Sequence, residues 1–254
     1  MVRIVVFDSG LGSLSVIKQI QKQMKCNIIY FADSKNFPYG KKTIKELRKI
    51  TLESIYSLQK RFEPELIVVG SNTLSLTLDS HPKNILTIIP PINQAKSISK
   101  SKCIAVLATE SIVKSKLLDD YLENFKKNNF KIIKINASPL IQLVESGKFY
   151  SNSQLCKTII RKLLTPKFTK NNVDVATLSS THLPFLLEFF KEIFPNITFL
   201  DPSKPLSIKL KNKYNDHSKK RNSLQIYTSG NIKSFKNKLI HLRIKNNISK
   251  FTLQ

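Results

Sequence analysis

The stretch Val2–Ser13 reads VRIVVFDSGLGS and passes from β-branched and aromatic residues directly into a polar turn with two glycines. Its apolar run lacks the alternation of a half-exposed strand, which predicts a strand covered on both faces, as in a parallel sheet. The next segment, Leu14–Met24, carries apolar residues at helical spacing. A strand, a turn and a helix in this order are typical of the start of an α/β unit.

The same alternation of short apolar and longer amphipathic segments continues along the chain. Further strands are predicted at Asn27–Phe31, Leu66–Val69, Ile85–Ile88, Cys103–Leu107, Lys131–Ile135, Val173–Leu178, Ile197–Leu200 and Leu224–Thr228. Further helices are predicted at Thr43–Arg61, Ser111–Lys127, Asn152–Leu164 and Leu183–Phe194. The pattern predicts the α/β fold class, with mainly parallel strands and right-handed crossovers. The length of 254 residues suffices for one large domain or two smaller ones, and Pro90–Pro91 is the best candidate for a domain crossing.

Composition excludes several classes of protein. Every apolar run falls short of the roughly 18 residues that a membrane helix needs, and the short N-terminal run, followed at once by Asp8, does not fit a signal peptide. Three cysteines and four histidines without close spacing predict neither a disulfide framework nor a metal site. We therefore expect a soluble, cytoplasmic protein that holds no metal.

The chain carries 42 Lys and Arg residues against 17 acidic ones, a net charge of +25. One interpretation is an anionic partner, such as nucleic acid, an acidic membrane surface or a small acidic metabolite. The other is compositional drift, because only six of the basic residues are Arg and Trp is absent, whereas nucleic-acid readers favour Arg and aromatic stacking. We favour drift, so neither nucleic acid nor a membrane is an expected partner. The basic run at 217–221, HSKKR, predicts a solvated loop.

Polar residues gather where predicted strands end, which is the edge where open α/β sheets place their ligands. The segment Phe7–Ser13 leads into a helix start that suits an anion, and Phe37–Gly40 offers a hydroxyl and exposed backbone. Leu66–Thr73 and Val173–His182 share an apolar strand followed by a small residue, a serine and a threonine-bearing pair. These two strand ends could face one ligand from opposite sides, or their Ser and Thr could simply cap the next helices.

Taken in order along nearly the whole chain, these motifs resemble glutamate racemase, a cofactor-independent amino-acid racemase family of peptidoglycan precursor synthesis. The matching residues are Asp8-Ser9-Gly10, Pro38-Tyr39-Gly40, Asn72-Thr73, Thr109, Lys114-Ser115, Leu143–Gly147, Thr181-His182, Asp201 and Thr228-Ser229-Gly230. The resemblance implies two similar three-layer α/β domains with mainly parallel sheets, facing each other across a cleft. Residues 1–92 with 205–254 would form the first domain and 93–204 the second. It also implies glutamate or aspartate as substrate, no cofactor, and a homo-oligomer, expected to be a dimer.

In this family, one cysteine on each side of the substrate removes or returns the proton of the α-carbon. The resemblance implies that Asp8 assists the first cysteine position, and that His182, supported by Glu145, serves the second. It further implies that the amino acid is held by the matching polar residues, which are Asp8, Ser9, Tyr39, Gly40, Asn72, Thr73, Thr181 and His182.

The sequence departs from the family at the two cysteine positions themselves, which are Ser71 and Ser180 here. The cysteines that are present lie in or near other predicted elements: Cys26, Cys103 and Cys156. A serine hydroxyl is a weaker acid than a thiol by at least about five pKa units, or ~7 kcal/mol, which is about 10⁵-fold in rate if uncompensated. We therefore expect Ser71 and Ser180 at the catalytic positions, with racemisation weakened or lost.

Three neighbouring residues depart from the family as well. Ser13 and Ser179 stand where the family has glycine, and Gly70 stands where it has alanine. Such accompanying changes favour natural divergence over a deliberate exchange of two cysteines for serines.

Two alternatives remain open. In the first, the chain is a superfamily enzyme with altered chemistry, in which Ser180 and His182 form a hydroxyl–imidazole pair, although side chains two residues apart need not meet. In the second, it is a non-catalytic protein that binds an amino acid, or that binds a polyanion through its basic C-terminal segment.

Overall fold

The computed structural model describes residues 1–78, 80–125, 130–214 and 221–253. In these ranges the chain forms two compact units, and the first contains both ends of the sequence. Unit 1 comprises residues 1–88 and 203–254, and unit 2 comprises residues 89–202. Of the predicted loop at 217–221, residues 217–220 lie outside the described residues.

Strands and helices alternate along the described chain. The strands are β1 (Arg3–Asp8), β2 (Asn27–Ala32), β3 (Leu66–Val69), β4 (Ile85–Thr87), β5 (Cys103–Ala108), β6 (Lys131–Asn136), β7 (Val175–Leu178), β8 (Thr198–Leu200), β9 (Ser223–Thr228) and β10 (Ile248–Lys250). The α-helices are α1 (Leu14–Gln23), α2 (Ile44–Phe62), α3 (Asn72–Ser75), α4 (Ile92–Ile98), α5 (Glu110–Val113), α6 (Lys116–Glu123), α7 (Ser138–Glu145), α8 (Lys148–Ser151), α9 (Ser153–Asn171), α10 (Leu187–Ile193), α11 (Ser203–Tyr214) and α12 (Ile232–Ile240). Short 3₁₀ helices lie at Ser34–Asn36, Tyr39–Lys41 and Leu183–Leu186.

Unit 1 is built on a six-stranded sheet in the order β10-β9-β2-β1-β3-β4. All of its neighbouring strands pair in parallel. In β1 and β3, the positions Ile4–Phe7 and Leu66–Val69 are fully buried, as expected for strands covered on both faces. Because the strands are parallel, the residues that follow β1, β2, β3 and β9 share one edge of the sheet.

Unit 2 is built on a four-stranded sheet in the order β6-β5-β7-β8, again parallel throughout. Its core includes a group of phenylalanines from α9, α10 and β8, in which the rings of Phe190 and Phe199 stack at 5.0 Å and Phe168 meets Phe194 edge-on at 5.1 Å. The prediction of two α/β domains with mainly parallel sheets is confirmed.

Several predicted helices have different bounds, each for a local reason. The predicted helix Ser111–Lys127 is divided, because Ser115 adopts an extended conformation and its hydroxyl caps the new helix α6. Helix α9 continues through Pro166 to Asn171, since the buried side chain of Phe168 anchors its last turns to the core. The predicted helix Leu183–Phe194 begins as a 3₁₀ helix and becomes α-helical at Leu187.

The described ranges contain neither a membrane-spanning helix nor a cluster of metal-binding side chains. No helix there is both long and apolar enough to cross a membrane. Within the same ranges, no cluster of three or more His, Cys, Asp or Glu side chains could hold a metal ion.

Candidate active site

The carboxyl edge of the unit 1 sheet carries Asp8 at the end of β1 and Ser71 directly after Gly70, which follows β3. Asp8 is buried, and each of its carboxylate oxygens accepts a hydrogen bond. The backbone N–H of Ser9 donates to Oδ1 at 2.7 Å, and the hydroxyl of Ser13 donates to Oδ2 at 2.9 Å. These donors hold the carboxylate in one orientation at the edge of the sheet.

Ser71 is the N-cap residue of α3 and is buried. Its Oγ accepts a long hydrogen bond of 3.4 Å from the backbone N–H of Leu74. Helix capping was one interpretation of this serine in the sequence, and the hydrogen bond from Leu74 is a capping bond of that kind. Because capping uses a lone pair, the hydroxyl proton of Ser71 can still be donated to a ligand.

The side chain of Asn72 has an unusual environment. It is only 4% exposed, yet neither Oδ1 nor Nδ2 has a hydrogen-bond partner among the described residues. A buried polar group without a partner costs about 1–3 kcal/mol. Such a cost is typical of a side chain that is completed by a ligand, and an amide can both donate to a carboxylate and accept from an ammonium group. The neighbouring Thr73 is buried as well.

Tyr39 and Gly40 lie in the 3₁₀ helix Tyr39–Lys41, where Tyr39 is buried and Gly40 is partly buried. The phenol of Tyr39 donates to Oδ2 of Asp33 at 3.1 Å. Burial raises the pKa of Tyr39 well above its ordinary value, and the nearby charges of Asp33 and Asp8 add to this effect. Tyr39 is thus a neutral donor at all physiological pH values.

Asp33 is a residue of this edge that the sequence analysis missed. It directly follows β2, is fully buried, and also accepts from the hydroxyl of Ser229 at 2.9 Å and from the amide of Asn36 at 2.8 Å. Asp33 is a polar residue at the carboxyl end of an apolar strand, and this is the same signal that identified Asp8. Ser229 comes from the late turn after β9, so the C-terminal segment contributes directly to this network.

In unit 2, the segment after β7 carries Ser180, Thr181 and His182, all buried. Oγ of Ser180 lies 3.5 Å from Nδ1 of His182, so the side chains of these residues do meet, at the outer limit of a hydrogen bond. On the other side of the ring, Nε2 of His182 lies 2.7 Å from Oε1 of Glu145, the last residue of α7. Serine, imidazole and carboxylate therefore follow one another in a chain.

This chain of three groups fixes the roles of the imidazole nitrogens. An ionised carboxylate only accepts hydrogen bonds, so Nε2 of His182 must be the donor to Glu145. In the neutral ring, Nδ1 is then the acceptor and faces the hydroxyl of Ser180. The arrangement can polarise the Ser180 hydroxyl and can stabilise a proton taken up by the ring.

The free cysteines lie elsewhere in the fold and are all buried. Cys103 begins β5 and is therefore at the opposite, amino edge of the unit 2 sheet, whereas Cys156 lies inside α9. Burial raises the pKa of both thiols. Cys26 precedes β2, at the amino edge of the unit 1 sheet. None of the three thiols takes the place of Ser71 or Ser180.

Several solved glutamate racemases share this fold. The structure of isoform RacE1 from Bacillus anthracis superposes with a TM-score of 0.84 at 22% identity, over 99% of this chain and 98% of that one. The Francisella tularensis enzyme, solved in complex with D-glutamate, gives a TM-score of 0.79 at 21% identity, over 99% of this chain and 98% of that one.

Relatives identified by sequence carry the same name. A glutamate racemase of Prochlorococcus marinus (strain NATL2A) is 31% identical over 249 residues, which cover 94% of this chain and 92% of that protein. A glutamate racemase of Clostridium botulinum (strain Alaska E43 / Type E3) is 32% identical over 202 residues, or 77% of each. No protein-family model matches the chain. Because relatives above 30% identity extend over most of its length, the chain belongs to the glutamate racemase family.

Proposed function

We propose that this protein binds glutamate as a racemase does, and that its interconversion of the L and D forms is strongly slowed or lost because Ser71 and Ser180 replace the proton-transferring cysteines. The observation that carries the binding part is the buried amide of Asn72, which has no partner in the described chain. An α-amino acid supplies both kinds of partner, a carboxylate that accepts and an ammonium that donates. Aspartate is the alternative ligand with the same groups.

Residues of the types expected to hold this ligand occur in each unit. In unit 1 they are Asp8, Ser9, Tyr39, Gly40, Asn72 and Thr73, and in unit 2 they are Thr181 and His182. The buried members keep their hydrogen-bonding groups away from bulk water, which strengthens their interactions with a charged ligand. These buried polar groups therefore support binding of a small zwitterion such as glutamate.

The proposed loss of rate follows from the surroundings of the two serines. The hydrogen bond recorded at Ser71 Oγ comes from a backbone N–H, which does not remove its proton. Abstraction of a weakly acidic α-proton needs a populated base, and a serine hydroxyl supplies an alkoxide far less readily than a cysteine supplies a thiolate. Ser180 has His182 beside it, at the long distance of 3.5 Å. We expect this pair to compensate only part of the deficit.

A second candidate function is supported by the chain Ser180–His182–Glu145. A hydroxyl, an imidazole and a carboxylate in this order activate serine as a nucleophile in acyl-transfer enzymes. A fluorophosphonate probe tests this candidate: Ser180 Oγ would form the bond to phosphorus, fluoride would leave, and His182 would take the proton. Labelling that is lost in Ser180→Ala would support it, and absence of labelling would exclude it.

The main proposal is tested by calorimetric titration with L- and D-glutamate and L- and D-aspartate, followed by proton–deuterium exchange at the α-carbon of the ligand that binds. We expect binding of glutamate with exchange far below ordinary enzyme turnover of 1–10³ s⁻¹. Exchange at ordinary turnover would overturn the role given to the serines. Failure of all four amino acids to bind would overturn the ligand.

A further inference from the structure

Ser13 occupies the N-cap position of α1 without acting as a cap. Its backbone dihedrals are helical, φ −71° and ψ −3°, and its side chain accepts no hydrogen bond from the first turn. An N-cap serine ordinarily accepts from the backbone two or three residues ahead. Here the side chain is fully buried and turned toward the strands instead.

The hydroxyl of Ser13 lies within hydrogen-bond distance of two acceptors on neighbouring strands. It is 2.9 Å from Oδ2 of Asp8 at the end of β1, and 2.7 Å from the carbonyl oxygen of Gly70 after β3. The carbonyl of Gly70 belongs to the peptide that leads into Ser71. The hydroxyl has a single proton, which these two acceptors share, and in this way it links the Asp8 carboxylate to the backbone that carries Ser71.

Gly70 leaves the space that this hydroxyl occupies. A Cβ atom at position 70 would lie 2.1 Å from Oγ and 2.8 Å from Cβ of Ser13. Both contacts are shorter than real Cβ atoms show, so a neighbouring group must shift, and Ser13 is fully buried in a packed site. A side chain can therefore be present at position 13 or at position 70, but not at both without such a shift.

We propose that Ser13 and Gly70 are structurally coupled, and that Ser13 is a positioning residue that fixes the side chain of Asp8 relative to the backbone of Ser71. The two departures noted in the sequence, serine for glycine at 13 and glycine for alanine at 70, are then a single compensated exchange. The consequence for the ligand site rests on the proposed function, since it assumes that Asp8 takes part in binding the amino acid.

Coupling between the two positions is tested by a double-mutant cycle on thermal unfolding. Gly70→Ala alone is expected to lower the melting temperature by about 4 °C or more, because it forces a clash in a packed site. Adding Ser13→Gly should recover most of that loss, although Ser13→Gly alone also destabilises. A double variant no more stable than Gly70→Ala alone would overturn the coupling.

The positioning role is tested on Asp8 itself. Ser13→Ala is expected to move the side-chain carboxyl ¹³C resonance of Asp8 and to weaken glutamate binding about tenfold. Ser15→Ala is the matched control, since Ser15 is also buried at the start of α1 but its hydroxyl donates to the carbonyl of Gly12. It should change neither quantity.

The two proposals fail in distinguishable ways. If the wild-type protein binds no amino acid, the proposed function is wrong. The unfolding cycle and the Asp8 resonance still test the coupling of Ser13 and Gly70 in that case. If glutamate binds, but Ser13→Ala changes the Asp8 resonance and the glutamate affinity no more than Ser15→Ala does, the positioning role of Ser13 is wrong and the proposed function stands.

Discussion

His182 and Glu145 are joined by a 2.7 Å contact between Nε2 and Oε1, although 37 residues separate them in sequence. Their side chains are only 9% and 10% exposed. In such a shielded pair the carboxylate determines which ring nitrogen carries the proton, and so which nitrogen faces Ser180.

The neutral His182 ring is expected to be protonated at Nε2. The ¹⁵N chemical shifts of the imidazole in the uncharged form report this directly. In Glu145→Ala, loss of the acceptor should allow a mixture of both tautomers, because Nε2–H no longer has a carboxylate to bind. A ring protonated mainly at Nδ1 in the wild-type protein would contradict the assignment of Nε2–H as the donor to Glu145.

Introducing thiols at positions 71 and 180 should promote proton transfer. The double variant Ser71→Cys and Ser180→Cys is expected to raise α-proton exchange of glutamate by up to about 10⁵-fold, because a thiolate is populated near neutral pH and an alkoxide is not. Each single variant should promote exchange from one enantiomer without inversion. Exchange is measured by NMR in deuterated water.

The native cysteines provide the control for that experiment. The native cysteines and positions 71 and 180 are all buried, so protection by ligand distinguishes them: alkylation of the double variant should abolish the gained exchange, and bound glutamate should slow that loss. Alkylation of the wild-type protein under the same conditions should leave its residual exchange unchanged. A double variant that labels rapidly yet exchanges no faster than wild type would show that the serines are not what limits the reaction.

Replacing Asn72 should separate stability from binding. Asn72→Leu has a similar shape but no polar atoms, so the unliganded protein is expected to gain about 1–3 kcal/mol in free energy of unfolding while glutamate binding is lost. Denaturant titration and calorimetry measure the two effects.

The buried hydroxyl of Ser54 in α2 offers a comparison outside the candidate site. It too has no hydrogen-bond partner among the described residues. Ser54→Ala should therefore stabilise the protein without changing glutamate affinity. A loss of stability in Asn72→Leu would mean that the amide is already satisfied in the unliganded state.

Alkaline conditions should destabilise the protein through Tyr121. Burial raises its pKa to about 12, from about 10 for an unperturbed tyrosine. The unfolded chain thus loses this proton first, and the free energy of unfolding falls as the pH rises from about 10 to 12. Tyr121→Phe should show a shallower decline over that window, measured by denaturant titration. Tyr56→Phe, at a position 64% exposed, is the control; equal slopes in all three proteins would refute the assignment.

The sequence pattern predicted most strands of the two sheets, because central strands that are buried on both faces give continuous apolar runs. Leu66–Val69 agrees to the residue, and the other strand predictions overlap the observed strands. Amphipathic surface helices such as α2 were also evident from their apolar spacing. The structure adds that α2 begins with a capping box between Thr43 and Glu46. Short helices such as α4 and α7 were missed, since seven or eight residues give too little periodicity.

The site was predictable where residues follow strands and unpredictable where it depends on contacts between distant segments. Asp8 and Ser71 follow apolar runs, whereas the bond between Ser229 and Asp33 spans 196 residues. Ser13 and Gly70 lie 57 positions apart, and the sequence gives no sign of a connection between them. Only the 2.1 Å approach of a Cβ at position 70 to the Ser13 hydroxyl reveals that they occupy the same space.

The pairing of β9 with β2 also sets the order in which the protein can be completed during translation. Residue 27 pairs with residue 223, so all of unit 2 is synthesised before the strand that covers the edge of β2 has been made. Until then the nascent chain carries the bare N–H and C=O groups of β2, the kind of exposed border that other chains can add to. Synthesis of β9, rather than any local turn, is therefore the event that completes the pairing of β2 in the first unit.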